Sequence, residues 1–434
     1  MKGKRLWTIV SLALTAVGCC ALGACAGEQG AQGVQGEQGI QGEQGVQGEA
    51  GKSAYQIWLD NGYVGTEADF LAWLKEDLGD EAVEILRFQK ISGKEEYRVM
   101  GMGTVSSLDI VIPATYRGWP VTEIGANAFT NECYIENCTI PDSVTSIGSS
   151  AFSNCESLTS VEIPDSVTSI GNSAFEYCRS LTSVVIGDSV TSIGEGAFYS
   201  CTSLTSVEIP DSVTSIGDSA FHLCCKLVEV VNKSPYITVG KGSSENGFVG
   251  NYALGVYNAG DAYESKLSND NGYIIYTDEN ERILVGYAGN EIDLVLPSDI
   301  TQIYQCAFYG CDSLTSVEIP DSVKSIGYSA FEYCRSLTSV EIPDGVTSIG
   351  DSTFFYCGSL TSVVIPDSVT GIGFYAFDCC ASLTTVYYKG TAEEWKGIWI
   401  GGSNLTDKTR YYYDESESVA NWWHYDKNGE IVHA

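Results

Sequence analysis

The sequence predicts a β-rich solenoid set behind an N-terminal region of different construction, and three observations lead there. A unit of 23 residues, IPDSVTSIGxxAFxxCxSLTSVE in its commonest form, starts at Ile140, Ile163, Ile186 and Ile209 and returns at Ile319, Ile342 and Ile365. The apolar positions of one unit, Ile140, Val144, Ile147, Ala151, Phe152, Leu158 and Val161, recur at the same offsets in the next. A unit this small cannot bury its own apolar face, so fixed-period repetition means stacking into columns around one long core. The third observation is alternation: Val161 and Ile163 flank Glu162, the period of a strand with one buried face.

Each turn of the solenoid reads as one parallel rung. Pro164 denies the ladder an N–H and ends the strand, Val167-Thr-Ser-Ile170 makes a second extended run, and Gly148 is expected to turn the chain into an Ala-Phe-x-x-Cys arc. On these residues the unit resembles the BspA-like leucine-rich repeat of bacterial surface proteins, from Tyr97 to Lys389 with one interruption. The resemblance implies a leucine-rich repeat solenoid, an insert that forms a side domain, and adhesion or partner binding outside the cell.

Taken in order, the chain opens with Lys2, Lys4 and Arg5 ahead of an apolar run, Leu6 to Val17, that is short for a bilayer span. Leu22-Gly23-Ala24-Cys25 looks like a lipobox, which makes residues 1–24 a lipoprotein signal peptide. Cys25 is then the acylated mature N-terminus, on the outer side of a bacterial membrane. An ordinary signal cut nearby is the alternative, with Cys19 and Cys20 as other lipidation sites. Residues 25–53 carry this anchor and a collagen-like stalk: glycine falls at every third position from Gly27, nine times, with Gln at seven of the Y positions. None of the ten prolines lies in it, so a triple helix would be weak and a flexible polar tether is the other reading.

Residues 54–79 read as a small helical module. Ala54, Ile57 and Trp58 have helical spacing up to Asn61-Gly62, and Thr66 with Asp69 forms an N-cap pair ahead of Phe70, Leu71, Trp73 and Leu74. Two such helices cannot bury two Trp and a Phe alone. Either they associate between chains, making a homotrimer through the stalk, or they pack on the solenoid.

Residues 80–231 hold the opening strands and the first repeat block. Glu81 to Val99 reads as a hairpin, and in the imperfect first rung Cys133 is displaced while Ile135 and Cys138 take the Leu and Val columns. Residues 232–295 break the repetition; Gly272-Tyr-Ile-Ile-Tyr-Thr and Arg282-Ile-Leu-Val-Gly-Tyr predict a β-hairpin there. The second block spans 296–388. Residues 389–434 predict an aromatic C-terminal cap on the last open edge. Thr391-Ala-Glu-Glu394 opens a helix carrying Trp395, and Trp422-Trp-His-Tyr meets an Asn428-Gly429 hairpin signal.

The chemistry is as uniform as the repeat. The net charge of −33, from 23 Lys+Arg against 56 Asp+Glu, leaves no basic stripe for nucleic acid. Eight cysteines sit three residues after the repeat Phe, among them Cys155, Cys178, Cys334 and Cys357. They read as small apolar core filler, because an in-register column suits the disulfide dihedral poorly. On that reading a serine at 178 would bury a hydroxyl with no partner assured. The Asp column (Asp142, Asp165, Asp188, Asp211, Asp321, Asp344 and Asp367) reads as turn chemistry, with a file of calcium ligands as the alternative. No metal site or cofactor is expected. His222, His424 and His433 belong to no recognisable catalytic signature, so no enzyme is expected either.

What varies is surface. Tyr and Arg gather beside the arc, where Glu176-Tyr177-Cys178-Arg179 recurs as Glu332-Tyr333-Cys334-Arg335. Residues of these types anchor protein interfaces, so Tyr177, Arg179, Tyr199, Tyr333, Arg335 and Tyr356 are the expected ligand-binding residues. The expected partner is an extracellular or host-surface protein, steered by the acidic strand face. Two other readings stand beside this one: a carbohydrate or cell-wall binder using the C-terminal aromatics, or a passive surface spacer.

Overall fold

A computed structural model describes residues 86–433, apart from 104–107, 280, 403–404, 406 and 418–419. The signal peptide, Cys25, the collagen-like stalk and the 54–79 module lie outside the described residues.

The predicted hairpin opens the fold: Leu86–Lys90 pairs antiparallel with Tyr97–Met102. From there the chain winds. Tyr97–Met102 pairs in parallel with Trp119–Ile124, followed in the same sheet by Ser146–Ile147, Ser169–Ile170, Ser192–Ile193 and Ser215–Ile216. A second file of parallel strands runs alongside through Asn137–Thr139, Ser160–Ile163 and Ser183–Ile186, each residue facing its counterpart one repeat away. In Ser160–Ile163 Val161 and Ile163 are buried and Ser160 and Glu162 exposed, as the alternation requires. In the imperfect rung Cys138 faces Val161 and is buried with Ile135, whereas Cys133 is partly exposed.

The arc stacks as tightly as the strands. Phe129, Phe152, Phe175, Phe198 and Phe221 form a file of near-parallel rings with centroids 5.0 to 5.3 Å apart. Phe308, Phe331, Phe354 and Phe377 repeat it at 4.9 to 5.3 Å. Arc N–H groups donate to the next rung, as in Phe152 N to Ala174 O (2.7 Å) and Tyr177 N to Tyr199 O (2.8 Å). The backbone polar groups of a tight non-helical turn are thereby satisfied without helix or sheet. Gly148 plays a different part from the one expected. Its φ is not positive; a Cβ there would stand 2.6 Å from Ala126 N, and at Gly171 2.6 Å from the backbone of Gly148. The glycine column exists because backbone lies on backbone.

The insert departs from the side-domain expectation, because its strands join the stack on both sides. Gly255–Tyr257 extends the first block's file beyond Glu229–Asn232. The hairpin Tyr273–Asp278 with Glu281–Tyr287 forms as predicted, and its second strand pairs in parallel with Gln302–Ile303 of the second block. Val228, Tyr276, Ile283 and Val285 share a buried cluster where the blocks meet, and Tyr304 Oη donates to Tyr252 O at 2.7 Å. Glu229, 1% exposed, holds the insert's return path: its carboxylate accepts from Tyr263 Oη (3.1 Å), Ser265 Oγ (2.7 Å) and Lys266 N (2.9 Å). Three donors make burial of that carboxylate tolerable.

The second block repeats the pattern through Ser325–Ile326, Ser348–Ile349 and Gly371–Ile372 on one side and Ser339–Glu341, Ser362–Ile365 and Thr385–Tyr388 on the other. Beyond it, Thr391 caps the helix Ala392–Gly397 with the reciprocal Glu394 contact the sequence predicts. Thr409–Tyr413 and Trp422–Tyr425 add two more parallel strands, and Ile431–His433 folds back antiparallel.

Candidate binding surface

The backbone of the arc decides which side chains reach solvent. Each turn has two residues in the left-handed region, four apart, on either side of the Ala-Phe pair. One column is Asn127, Ser150, Ser173, Gly196 and Ser219, the other Asn131, Asn154, Tyr177, Ser200 and Leu223. In the second block the latter continues as Gly310, Tyr333, Tyr356 and Cys379, with φ from 59° to 71°. An L-residue held there is strained by roughly 1–2 kcal/mol, least for Gly and Asn.

The structure brings the expected residues into two clusters. Tyr177 meets Tyr199 edge-on at 5.5 Å, and the Arg179 guanidinium lies 5.5 Å from the Tyr177 ring centre while pairing with Glu156 at 3.8 Å. Tyr333 stacks on Tyr356 at 5.1 Å, and Arg335 lies 5.4 Å from its ring and 3.2 Å from Asp312. Tyr177, Tyr199 and Tyr333 are half-buried, whereas Arg179, Arg335 and Tyr356 are exposed. The second cluster extends past the residues expected from sequence: Tyr375 is 59% exposed, Phe374 49% and Trp399 56%, with Phe374 and Trp399 edge-on at 5.5 Å. A signal for them existed. Tyr375 falls in the column of Ser352, one period on, and Trp399 pairs with Gly371 in the short-strand file.

The thiol column is core, as expected, but the sulfurs are not purely apolar filler. The thiol of Cys178 donates to Phe152 O at 3.2 Å, and those of Cys155, Cys201, Cys224, Cys334, Cys357 and Cys380 make the same contact at 3.0 to 3.2 Å. All thirteen described cysteines are free thiols. Burial pushes the Cys178 pKa up to about 12, so that thiol stays protonated. The expectation that a hydroxyl at 178 would lack a partner is therefore corrected: Phe152 O is already placed as acceptor.

The strand face carries the exposed carboxylates Glu162 and Glu208 together with the Asp column. The turn role of that column reaches between rungs, with Asp188 N donating to Asp165 Oδ1 at 2.9 Å. Lys389 bridges Glu341 (2.9 Å) and Asp344 (2.8 Å). Burial disfavours its charge, yet the hydrogen bonds to Asp344 and Glu341 outweigh it and hold the pKa above the ordinary lysine value. At the C-terminus Trp423 is fully buried and its Nε1 donates to Tyr388 O at 2.8 Å. That tryptophan is core, so a sugar platform built on Trp422-Trp-His-Tyr loses its central ring. Among the described residues no helix is long and apolar enough to cross a membrane.

Set against known families, the BspA type leucine rich repeat region matches residues 122–246 and 287–403, in six copies. No curated protein matches the chain. Solved structures similar to it include a leucine rich cell surface protein from Faecalibacterium prausnitzii A2-165, at 27% identity and a TM-score of 0.35 over 74% of this chain and 98% of that one. A leucine-rich repeat protein from Bacteroides ovatus ATCC 8483 is 23% identical with a TM-score of 0.33, over 77% and 100% of the two chains. The pneumococcal vaccine antigen PcpA is 16% identical with a TM-score of 0.36, over 76% and 92%.

Proposed function

The chain belongs to the BspA type leucine-rich repeat family, and from that premise we propose that it is an adhesin-like protein of the bacterial cell surface. A lipid on Cys25 anchors it, the collagen-like stalk lifts the solenoid from the membrane, and the aromatic C-terminal strands cap the last edge. The solenoid binds an extracellular or host-surface protein through the arc edge carrying Tyr177, Arg179, Tyr199, Tyr333, Arg335 and Tyr356.

One observation carries the reading: bulky side chains occupy left-handed backbone positions at Tyr177, Tyr333 and Tyr356, where Asn or Gly costs less. Strain retained at an exposed edge, in a repeat whose core hardly varies, supports selection for contact rather than for folding. The aromatic–arginine composition is that of protein hot spots.

Immobilised extracellular-matrix proteins, set beside a glycan array, test the ligand class. Once a matrix protein binds, Tyr177→Ala with Tyr333→Ala weakens it at least tenfold, about 1.4 kcal/mol. Binding to glycans alone overturns the protein-ligand reading, and silence on both arrays leaves a surface spacer. Cys25→Ala releases the protein into the medium or stalls its processing; unchanged membrane retention overturns the anchor.

A further inference from the structure

On the strand face the two blocks end the same way, and the shared feature is a lysine. The residue after the longer strand is Pro164, Gly187 or Pro210 in the first block and Pro320, Pro343 or Pro366 in the second. In the last rung of each block it is replaced: Lys233 follows Asn232, which faces Ile209, and Lys389 follows Tyr388, which faces Ile365. Both lysines fold back onto the acidic file. Lys233 Nζ lies 2.6 Å from Glu208 Oε1. Lys389 Nζ sits between Glu341 Oε1 and Asp344 Oδ1 at 2.9 and 2.8 Å, with its side chain only 20% exposed. A glutamate and an aspartate three residues on thus form a cradle for a primary ammonium, and the chain itself shows one filled.

The same pair recurs as Glu162 and Asp165, where among the described residues no cation pairs with either carboxylate. The neighbouring rung differs from the others in a way that suits a side chain lying across it. Val185 replaces the glutamate, faces Glu162 in the ladder and is 59% exposed. Gly187 replaces the proline and lies so close to the rung below that a Cβ would stand 2.5 Å from Pro164 O. The apolar floor thereby has Glu162 and Asp165 on one side, Asp188 at the end of its own rung, and Glu208, already paired with Lys233, on the other side.

We propose that this notch seats lysine side chains of an extended segment of a partner protein, the aliphatic stem on Val185 and the ammonium in the Glu162–Asp165 cradle. Lysine suits the site because a hydrocarbon stem and a compact terminal charge match an apolar floor with carboxylates at its rim. The chain's own side chains make the same division. Lys233 and Lys389 reach strand-face carboxylates, whereas Arg179 and Arg335 pair on the arc edge. The inference rests on the protein-binding reading but uses a different face, so the two fail separately.

The test is titration calorimetry of the full chain with acetyl-hexalysine amide at physiological salt. Glu162→Gln with Asp165→Asn weakens binding at least tenfold, and Val185→Ser weakens it severalfold. Glu95→Gln with Glu430→Gln removes the same charge from exposed positions at the two ends and changes it less than twofold. Equal losses in the two double variants, at unchanged melting temperature, overturn the proposal in favour of diffuse attraction. Hexalysine acetylated on every side chain binding as tightly as the free peptide overturns it too. Tyr177→Ala with Tyr333→Ala leaves hexalysine binding unchanged; loss of hexalysine binding in that variant would overturn the assignment to the notch.

Discussion

Replacing Tyr177 with Asn removes the largest side chain of its rung from the arc edge and should leave stability almost unchanged. Tyr177 has a φ of 59°, and relieving an L-aromatic of the left-handed region returns roughly 1 kcal/mol. Against this stand two contacts at a half-exposed ring, the edge-on approach to Tyr199 at 5.5 Å and the Arg179 guanidinium at 5.5 Å. Each is worth about 0.5 kcal/mol in that setting. The neighbouring rung supplies a further term in favour of Asn: Asn154 Nδ2 already donates to Asn131 Oδ1 at 2.9 Å, and Asn at 177 would extend that ladder. The sum is close to zero. Phe175, two residues earlier, is fully buried between Phe152 and Phe198 at 5.1 and 5.3 Å, and its truncation to Ala should cost about 3–5 kcal/mol.

Urea denaturation followed by circular dichroism measures both variants, with the comparison resting on an unchanged m-value. Binding to an arrayed matrix protein, measured on the same Tyr177→Asn preparation, should fall about tenfold, or 1.4 kcal/mol. A stability loss above about 1.5 kcal/mol for Tyr177→Asn would mean that the tyrosine roofs the core. The strained backbone at Tyr177 would then serve folding rather than contact.

Cys178→Ala and Cys178→Ser should each cost about 1–2 kcal/mol, with Ser no worse than Ala because Phe152 O accepts the hydroxyl; Ser trailing Ala by more than about 1 kcal/mol would show the acceptor to be out of reach. Reductant should not shift the wild-type melting temperature, since the described thiols are free. Gly171→Ala should destabilise by about 1–3 kcal/mol, because its Cβ meets the Gly148 backbone; a neutral outcome in urea denaturation would show that the rungs can part. The hydrogen bond to Tyr425 O, and then Glu417, raise the His424 pKa. Its stabilising contribution is therefore fully present below the unfolded value near ~6.5 and is lost as pH rises through the folded value. An NMR titration of the imidazole should give a midpoint above that of an unstructured histidine peptide, and Glu417→Gln should lower it.

Most of the fold was legible because the core positions repeat at one offset and each can be tied to a strand or an arc. Val161, Ile163, Ala151 and Phe152 fall where the alternation and the period put them. The parts that were not legible depend on contacts between rungs, which a single unit does not display. Gly148 looks like a turn residue within its unit and is a contact residue only when Ala126 lies beneath it. The thiol of Cys178 reaches a carbonyl 26 residues back, across a rung boundary. Glu229 faces Ser206 of the preceding rung, and nothing in its own strand announces three donors arriving from residues 263–266. The insert misled for a related reason: loss of the repeat sequence hid strands that pair with the repeat blocks through their backbone alone. At the arc edge the sequence pointed to the tyrosines but missed Tyr375 and Trp399, which lie where the repeat merges into the C-terminal segment.

The variability of the arc edge is itself constrained, and the constraint separates backbone demands from ligand demands. Across both blocks the two left-handed columns hold Asn, Ser, Gly, Tyr, Leu and Cys, and never Val, Ile or Thr. A β-branched residue is the one most disfavoured at positive φ, so its exclusion needs no ligand to explain it. Among the residues that remain, Gly and Asn are favoured on conformational grounds and Ser is small enough to be accommodated, and these fill most of the positions. Leu223, Cys306 and Cys379 depart from this, and so, with much larger side chains, do Tyr177, Tyr333, Tyr356 and Tyr375. Their rings are not required by the core, which the Ala-Phe pairs between the two columns already fill. Nor are they required for hydrogen bonding, since the arc N–H groups of Tyr177 and Tyr333 bond to the next rung through the backbone. A side chain that the backbone disfavours and the core does not use, set beside arginine at Tyr177 and Tyr333, is what the proposed contact outside the chain would account for.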